Sequence, residues 1–346
     1  MKMLLKGLGL LVGLPTAAIA LFYLWGTSGS YSKQKYADIQ NDYERAGAQA
    51  GEQDDLPAAP PAAKDSYTIV SYNLGYLSGL ANNTTIETDR AFFEANQQRV
   101  ISAFQAIAPD IIALQEVDFD SKRSYGVDQA KALALGLNPV YAGAIAISWD
   151  KNYVPFPFWP PSAHFGKILS GQAILSRYPI AENSRIVLEK VASNPFYYNA
   201  FYLDRLAQVS QIQLAGQTLV VISVHLEAFD EPTRVSQTRF VRSLAEDYAK
   251  TYPVIVLGDF NSSLNRTDVE TEFSIKEMAA SEQFVSAVPE ADWGKAAATF
   301  PSDQPEYKLD YIWYTPSTIE AIKTEVVSAA GEASDHLPLM MNFRLK

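Results

Sequence analysis

From Tyr67 to the C-terminus, short apolar runs alternate with segments of helical period. "YTIVSYNLGYL", "DIIALQEV" and "GQAILSRYPI" read as strands. Large and β-branched residues dominate them, as in strands covered on both faces. "AQVSQIQLAGQTLVVISVHLE" reads as a hairpin about a Gly turn. "VIVLGDFN", "LDYIWYT" and "LPLMMNFRL" add further strands. Between them, "TDRAFFEANQQRVISAFQAIA", "DQAKALALGL" and "EPTRVSQTRFVRSLAEDYAKTY" carry apolar residues at helical spacing. Asp128 is a candidate cap for the second helix, and Pro232 suits the first turn of the third. Residues 274–282 read as a short helical region. Mixed strands, hairpins and helices predict one layered α/β domain over residues 67–346, with two sheets face to face and helices outside.

The first 66 residues follow another pattern. Lys2 and Lys6 precede 19 uncharged residues, Gly7 to Trp25. As a helix this run is roughly 28 Å long, close to a bilayer core of about 30 Å, with Pro15 as a kink. It predicts a membrane anchor over residues 1–25, in contact with lipid through residues 7–25. The alternative is a cleaved signal segment, with "AIA" at residues 18–20 as the cleavage site and a secreted product. The leading lysines stay in the cytoplasm, which puts the bulk of the chain outside it. Residues 26–66 read as a flexible tether, with "YADIQNDYERA" as a short helix and "DDLPAAPPAAKD" extended.

Charge narrows the partners. The formal net charge is −11, and from Tyr67 onward 22 Lys and Arg face 32 Asp and Glu. This argues against a binder that relies on a basic surface for phosphate backbones, so nucleic acid is a disfavoured but not excluded partner, and an enzyme with a local cation stays open. The chain has no Cys, which rules out disulfides, thiolate nucleophiles and Cys-bound zinc.

Candidate chemistry collects at strand ends. Asn73 follows "IVSY", Glu116 follows "IIALQ", His225 follows "VVISV", and Asp259 and Asn261 close "VIVLGDFN". Asp310 heads "DYIW", and Asp335 and His336 precede "LPLM". Each residue alone has an ordinary explanation as a turn former, an edge charge or a core histidine. Rigid strands converging on one site explain all of them together.

The ordered set "SYNL", "LQEVD", "GQAILSRYP", "SVHLE", "GDFNSSL", "LDYIW" and "SDHLPL" resembles the endonuclease/exonuclease/phosphatase superfamily, the DNase I-like fold. "EVDFDSKRSYGVDQAKALA" is similar to a bacterial subgroup of metal-dependent hydrolases within it. The resemblance implies a four-layer α-β-β-α sandwich with two packed mixed β-sheets. It also implies a phosphoric ester hydrolase that uses Mg²⁺, with Mn²⁺ as a substitute. The sequence departs at Glu227, where Asp is common, and at Gln172, where Asn is frequent.

Roles follow from the resemblance and from phosphate chemistry. An anionic phosphate ester repels nucleophiles, and a hard cation on oxygen ligands offsets that charge. Glu116 and Asp335 are the expected ligands, with Asn73 beside them. Asp259 would handle the attacking water and Asn261 a phosphate oxygen. His225 and His336 would donate to phosphoryl oxygens, and Asp310 would orient His336. Either Asp259 or His336 is the general base.

The substrate stays open between lipid or small phosphate esters, nucleic acid for an exported nuclease, and none for a binding module that kept the fold. "YVPFPFWPPSAHF" (153–165) reads as an irregular lid packed on the core or as an exposed loop near lipid. "FYYNAFYLDR" reads as a strand with aromatic faces. His164 stays outside the site, and Lys167 reads as a solvated lysine.

Overall fold

The computed structural model describes residues 2–40, 64–137, 141–214, 216–266, 273–293 and 297–346, with side chains from residue 13. Helix α1 (Lys2–Thr27) leads into strand β1 (Ala37–Gln40). Then follow β2 (Tyr67–Asn73), α2 (Arg90–Ile107), β3 (Ile111–Asp118), α3 (Gln129–Gly136), β4 (Ala142–Val154), β5 (Gly166–Ser176) and β6 (Ile180–Val187). The second half runs α4 (Phe196–Phe201), β7 (Leu206–Leu214), β8 (Gln217–His225), α5 (Glu231–Ala249), β9 (Val254–Asp259), α6 (Ile275–Ala279), β10 (Val285–Ser286), β11 (Asp310–Tyr314), β12 (Ile319–Val326) and β13 (Leu339–Leu345).

The strands form two mixed sheets, ordered β1-β4-β5-β3-β2-β13-β12 and β10-β11-β9-β8-β7-β6. Side-chain alternation sorts each central strand between two cores. Ile69, Ile111, Val221, Ile255 and Leu257 point between the sheets. Their neighbours Val70 and Ile112 meet Val100, Phe104 and Leu133 of α2 and α3. Val220, Ile222 and Val256 meet Val241, Ala245, Ile275 and Met278 of α5 and α6. The layers are therefore helix, sheet, sheet, helix. Both faces of these strands are covered, which is why they read as unbroken apolar runs. Three Asp side chains start the helices: Asp89 accepts from Phe92 N, Asp128 from Lys131 N and Asp230 from Thr233 N, each at 2.9 Å.

Three stretches differ from expectation. In "YADIQNDYERA", Ala37–Gln40 is a strand and not a helix: it pairs antiparallel with β4, Ala37 opposite Ala146, so neighbouring backbone overrides the weak helical pattern. Residues 41–63 of the expected tether lie outside the described residues. "FYYNAFYLDR" forms the short helix α4 instead of a strand, because Pro195 sits at its start and no neighbouring strand pairs with it. No helix among the described residues is long and apolar enough to cross a membrane. The last turns of α1 instead lean on β4, with Phe22 and Trp25 beside the ring of Tyr153.

Candidate active site

The site lies where strand ends of the two sheets meet. In the second sheet, β8 and β9 pair in parallel with His225 opposite Asp259, and β9 pairs with β11 with Asp259 opposite Asp310. Three consecutive strands thus deliver three polar side chains to one row. Close approach of β9 to β8 needs Gly258, where a Cβ would come within 2.0 Å of Val224 O.

The first sheet supplies Asn73 from β2 and Glu116 from β3. The β3–β5 register shifts between Leu114 and Val117, and Glu116 takes a positive φ of 50°. A bulge of this kind re-aims one side chain out of the strand's alternation. Asp335 and His336 come from the segment before β13. Ser334 pins it: its Oγ donates to Asn73 O at 2.7 Å and accepts from His336 N at 3.1 Å. Gly75 passes so close beneath that a Cβ there would stand 2.7 Å from Asp335 Oδ1.

Every residue expected at the site arrives there. Asn73 Nδ2 donates to Asp259 Oδ2 at 3.0 Å and to Glu116 Oε1 at 3.3 Å. Its Oδ1 accepts from Gly75 N, so the carboxamide turns its nitrogen, not its oxygen, to the carboxylates. In this arrangement Asn73 bridges two acids as a donor. His336 Nδ1 sits 2.9 Å from Asp310 Oδ2, and its Nε2 3.9 Å from Asp259 Oδ2. Asp259 Oδ1 accepts from Asn261 N at 2.8 Å, an Asx-turn. The Asn261 side chain donates to Leu226 O at 3.0 Å and ties the ends of β8 and β9 together.

Two residues escaped the sequence reading. Asn82 Nδ2 donates to Glu116 Oε2 at 3.0 Å and contacts both Asp335 oxygens at 3.2 and 3.3 Å. It lies in "ANNTT", which looks like any polar turn. Arg205 is buried, with Nη1 2.6 Å from His225 Nε2, Nη2 2.9 Å from Tyr202 OH and Nε 3.5 Å from Glu227 Oε2. Its only signal was a cation directly before an apolar strand.

Burial sets the charges. Glu116 is pushed above the ordinary carboxylate range by burial and by the charge of Asp335. Asp259 is raised by burial, with Asp310 adding to it and His336 opposing. Burial works against a charged His336, but the charge and hydrogen bond of Asp310, with Asp259 and Asp335 behind them, push it up to about 10. His225 is held well below 6.5 by burial, then by Arg205 and His336. Its Nε2 is 3.7 Å from both Glu116 Oε1 and Asp259 Oδ2, yet these are not ion pairs. An arginine N–H must donate, so Nε2 accepts and the ring is neutral.

Among the described residues, no three His, Asp or Glu side chains are grouped to hold a metal ion. The available set is two carboxylates, Glu116 and Asp335, bridged by the Asn82 amide nitrogen. Asn82 Oδ1, the other end of that amide, is buried without a hydrogen-bond partner. Two carboxylates sharing one amide, whose oxygen is left without a partner, fit a hard divalent cation once that amide turns its oxygen to it. A cleft of about 330 Å³ opens at Asn82, with Lys122, Arg123, Tyr125, His164 and Phe165 among its walls. Lys167, expected to be solvated, pairs with Asp120 at 2.5 Å outside this cluster.

The profile of the Endonuclease/Exonuclease/phosphatase family matches residues 70–336. The chain belongs to that family. Its members are hydrolases of phosphoester bonds and typically use divalent metal ions. Among curated relatives, the uncharacterized protein YbhP of Escherichia coli K12 is 24% identical over 271 residues, spanning 75% of this chain and 95% of YbhP. Among solved structures, an endonuclease/exonuclease/phosphatase from Beutenbergia cavernae aligns with a TM-score of 0.61 at 18% identity, covering 82% of this chain and 72% of that one. The mannosyl-6-phosphatase Bt3783 of Bacteroides thetaiotaomicron aligns with a TM-score of 0.56 at 17% identity, covering 80% and 99%. At these identities the structural matches carry the sandwich fold alone.

Proposed function

We propose that the chain is a metal-dependent phosphoesterase, held at a membrane surface outside the cytoplasm and hydrolysing lipid or small-molecule phosphate esters. One observation carries the reading: two carboxylates with hard-donor neighbours, Glu116 and Asp335, share one point with an acid and a cationic imidazole, Asp259 and His336. Glu116 and Asp335 would hold the cation, and Asn82, which now turns Nδ2 to both, would add an oxygen donor on turning its amide over. When bound, that cation offsets the charge of the phosphate and polarises its P–O bonds.

The chain's own residues do the rest. Asp259 Oδ2 takes the proton of the attacking water, while the Asx-turn at Oδ1 and the Asn73 amide hold the carboxylate still. His336 carries its proton at neutral pH, which suits a donor to a phosphoryl oxygen and not a base. That assigns the base to Asp259. Asp310 orients the His336 ring. Opposite them, Arg205 donates to Nε2 of the neutral His225, so the guanidinium is the donor of that pair.

Lys2, Lys6 and the uncharged run after them support export. With no helix among the described residues long and apolar enough to cross a membrane, the chain would be held at its surface and not through it. The net charge of −11 argues against duplex DNA as substrate. The test is turnover by the full chain with Mg²⁺ on DNA, RNA, phospholipid and bis-p-nitrophenyl phosphate. Hydrolysis of either of the last two is expected. No turnover on any of the four would leave a binding module on the same fold.

A further inference from the structure

Helix α1 does not stand free of the catalytic sheets. Tyr23 packs edge-on against Phe201 at 5.8 Å and Phe196 at 6.2 Å, while Phe22 and Trp25 flank Tyr153 at 5.6 and 6.2 Å. Lys151 Nζ donates to Thr27 O at 3.1 Å, and Asn152 N donates to Ser28 O at 2.8 Å. These contacts gather three stretches, residues 13–29, 153–165 and 191–203. None contains Asp, Glu, Lys or Arg, although 19% of the chain is charged.

The surface they form is apolar and open. Trp159 is 77% exposed and Phe196 76%, with Leu21, Leu24, Trp25, Phe158 and Tyr197 exposed around them. Lone exposed apolar residues are ordinary, but a joined set is not. Only part of "YVPFPFWPPSAHF" behaves as a packed lid. Phe156 and Phe165 meet edge-on at 5.4 Å and pack with Trp149 and Val154, while Phe158 and Trp159 stay outside.

The patch borders the site at two places. The loop that exposes Phe158 and Trp159 returns through His164 and Phe165, which wall the cleft that opens at Asn82. On the other side Tyr198 stacks on Tyr202 at 5.4 Å, Tyr202 OH bonds Arg205, and Arg205 holds His225. Phe229, 85% exposed, stands two residues beyond Glu227, whose Oε1 accepts from its backbone N–H at 3.1 Å.

We propose that this surface seats on a lipid bilayer at headgroup depth and presents the cleft to phosphate esters carried by lipid headgroups. The inference rests on the phosphoesterase reading. A bilayer, and not a protein partner, is the occupant because the patch continues into α1 and its uncharged run from Gly7 to Trp25. Trp and Tyr rings suit that interface. Without a Lys or Arg in the patch, zwitterionic lipid suffices, since apolar insertion and not charge drives binding. A lipid phosphate then reaches Glu116 and Asp335 without leaving the membrane.

The absence of Cys makes the test direct. Single variants Trp159→Cys, Phe229→Cys and Ile322→Cys of the full chain each carry an environment-sensitive fluorophore. Ile322 lies on β12, at the opposite edge of its sheet from β1 and β4. With phosphatidylcholine vesicles, labels at 159 and 229 should shift to the blue and be quenched by a lipid-borne quencher, while 322 stays in water. Labels at 159 and 229 that remain in water, or that shift without vesicles as the chain self-associates, would overturn the proposal. In parallel, Phe158→Ser with Trp159→Ser should slow hydrolysis of vesicle phospholipid about tenfold or more and leave bis-p-nitrophenyl phosphate turnover unchanged. Equal loss on both substrates would contradict docking. No turnover by the unmodified chain on either would sink the phosphoesterase reading, while the labels would still report on docking.

Discussion

His336 Nδ1–H donates to Asp310 Oδ2 at 2.9 Å, and both side chains are buried. This pair keeps the imidazole charged to about pH 10, far above an ordinary histidine. Asp259, 3.9 Å from the other ring nitrogen, is raised above its ordinary 3.8. A base that must be ionised and a donor that must be protonated give a bell-shaped profile. Turnover falls as pH drops through the Asp259 range and again as it rises through that of His336. Asp310→Asn removes the charge that raises His336, so the alkaline limb should move down toward 6.5 and turnover at pH 8 should fall by about tenfold or more. The pH profile on a soluble phosphodiester at saturating Mg²⁺ reads this. An unmoved alkaline limb would remove His336 from the chemistry.

Arg205 governs a different histidine. Its guanidinium cannot give up a proton, so His225 stays neutral as the acceptor. Arg205→Met takes away the donor and a nearby positive charge, leaving His225 beside Glu116 and Asp259 at 3.7 Å. The His225 pKa should rise, and NMR can follow it because the chain has only three histidines. Turnover should fall about tenfold, as expected for a buried acceptor left unpaired. A lost activity with an unchanged His225 titration would mean that Arg205 acts on substrate directly and not through the ring.

Lys308 makes a stability prediction independent of catalysis. It is fully buried, donates to Asp310 O at 2.7 Å and lies 4.2 Å from the Tyr311 ring centre. Burial lowers its pKa from 10.5 to about 7. Between those values the unfolded chain binds a proton that the fold has released, so this group makes stability rise with pH across that window. Below pH 7 both states are charged and its contribution is at its least favourable. Lys308→Met should flatten the slope of unfolding free energy between pH 7 and 10.5 by at most about 1.4 kcal/mol per pH unit. Denaturant melts at several pH values decide it. An unchanged slope would mean that the ammonium is solvated.

The sandwich and the row of site residues were legible because both depend on strands. Unbroken apolar runs ending in Glu116, His225 and Asp259 announced buried strands with polar tips. The question of whether "GDFN" is a turn or a site has a joint answer. Asp259 and Asn261 form the Asx-turn, and that turn is what fixes the carboxylate among its partners. Asn82 and Arg205 were not legible. Each owes its place to side chains far along the chain, Asp335 for one and His225 and Glu227 for the other, and neither has a local pattern. Strand β1 and helix α4 were misread for a related reason. Four residues carry too weak a pattern to resist the pairing offered by β4, and an aromatic stretch led by Pro195 reads equally as strand or helix.

The metal titration of two variants tests the central claim most directly. Glu116 and Asp335 are proposed to hold the cation and Asp259 to take the proton of the attacking water. Glu116→Gln keeps an oxygen donor and loses a charge, so its turnover should vanish at low Mg²⁺ and return in part at high Mg²⁺ or Mn²⁺. Asp259→Asn keeps the shape but cannot accept the proton, a loss of about 10²- to 10⁴-fold that added metal does not restore. Turnover of bis-p-nitrophenyl phosphate against metal concentration, for both variants beside the unmodified chain, should separate them in this way. Rescue of Asp259→Asn by metal, with Glu116→Gln inactive throughout, would contradict the assignment.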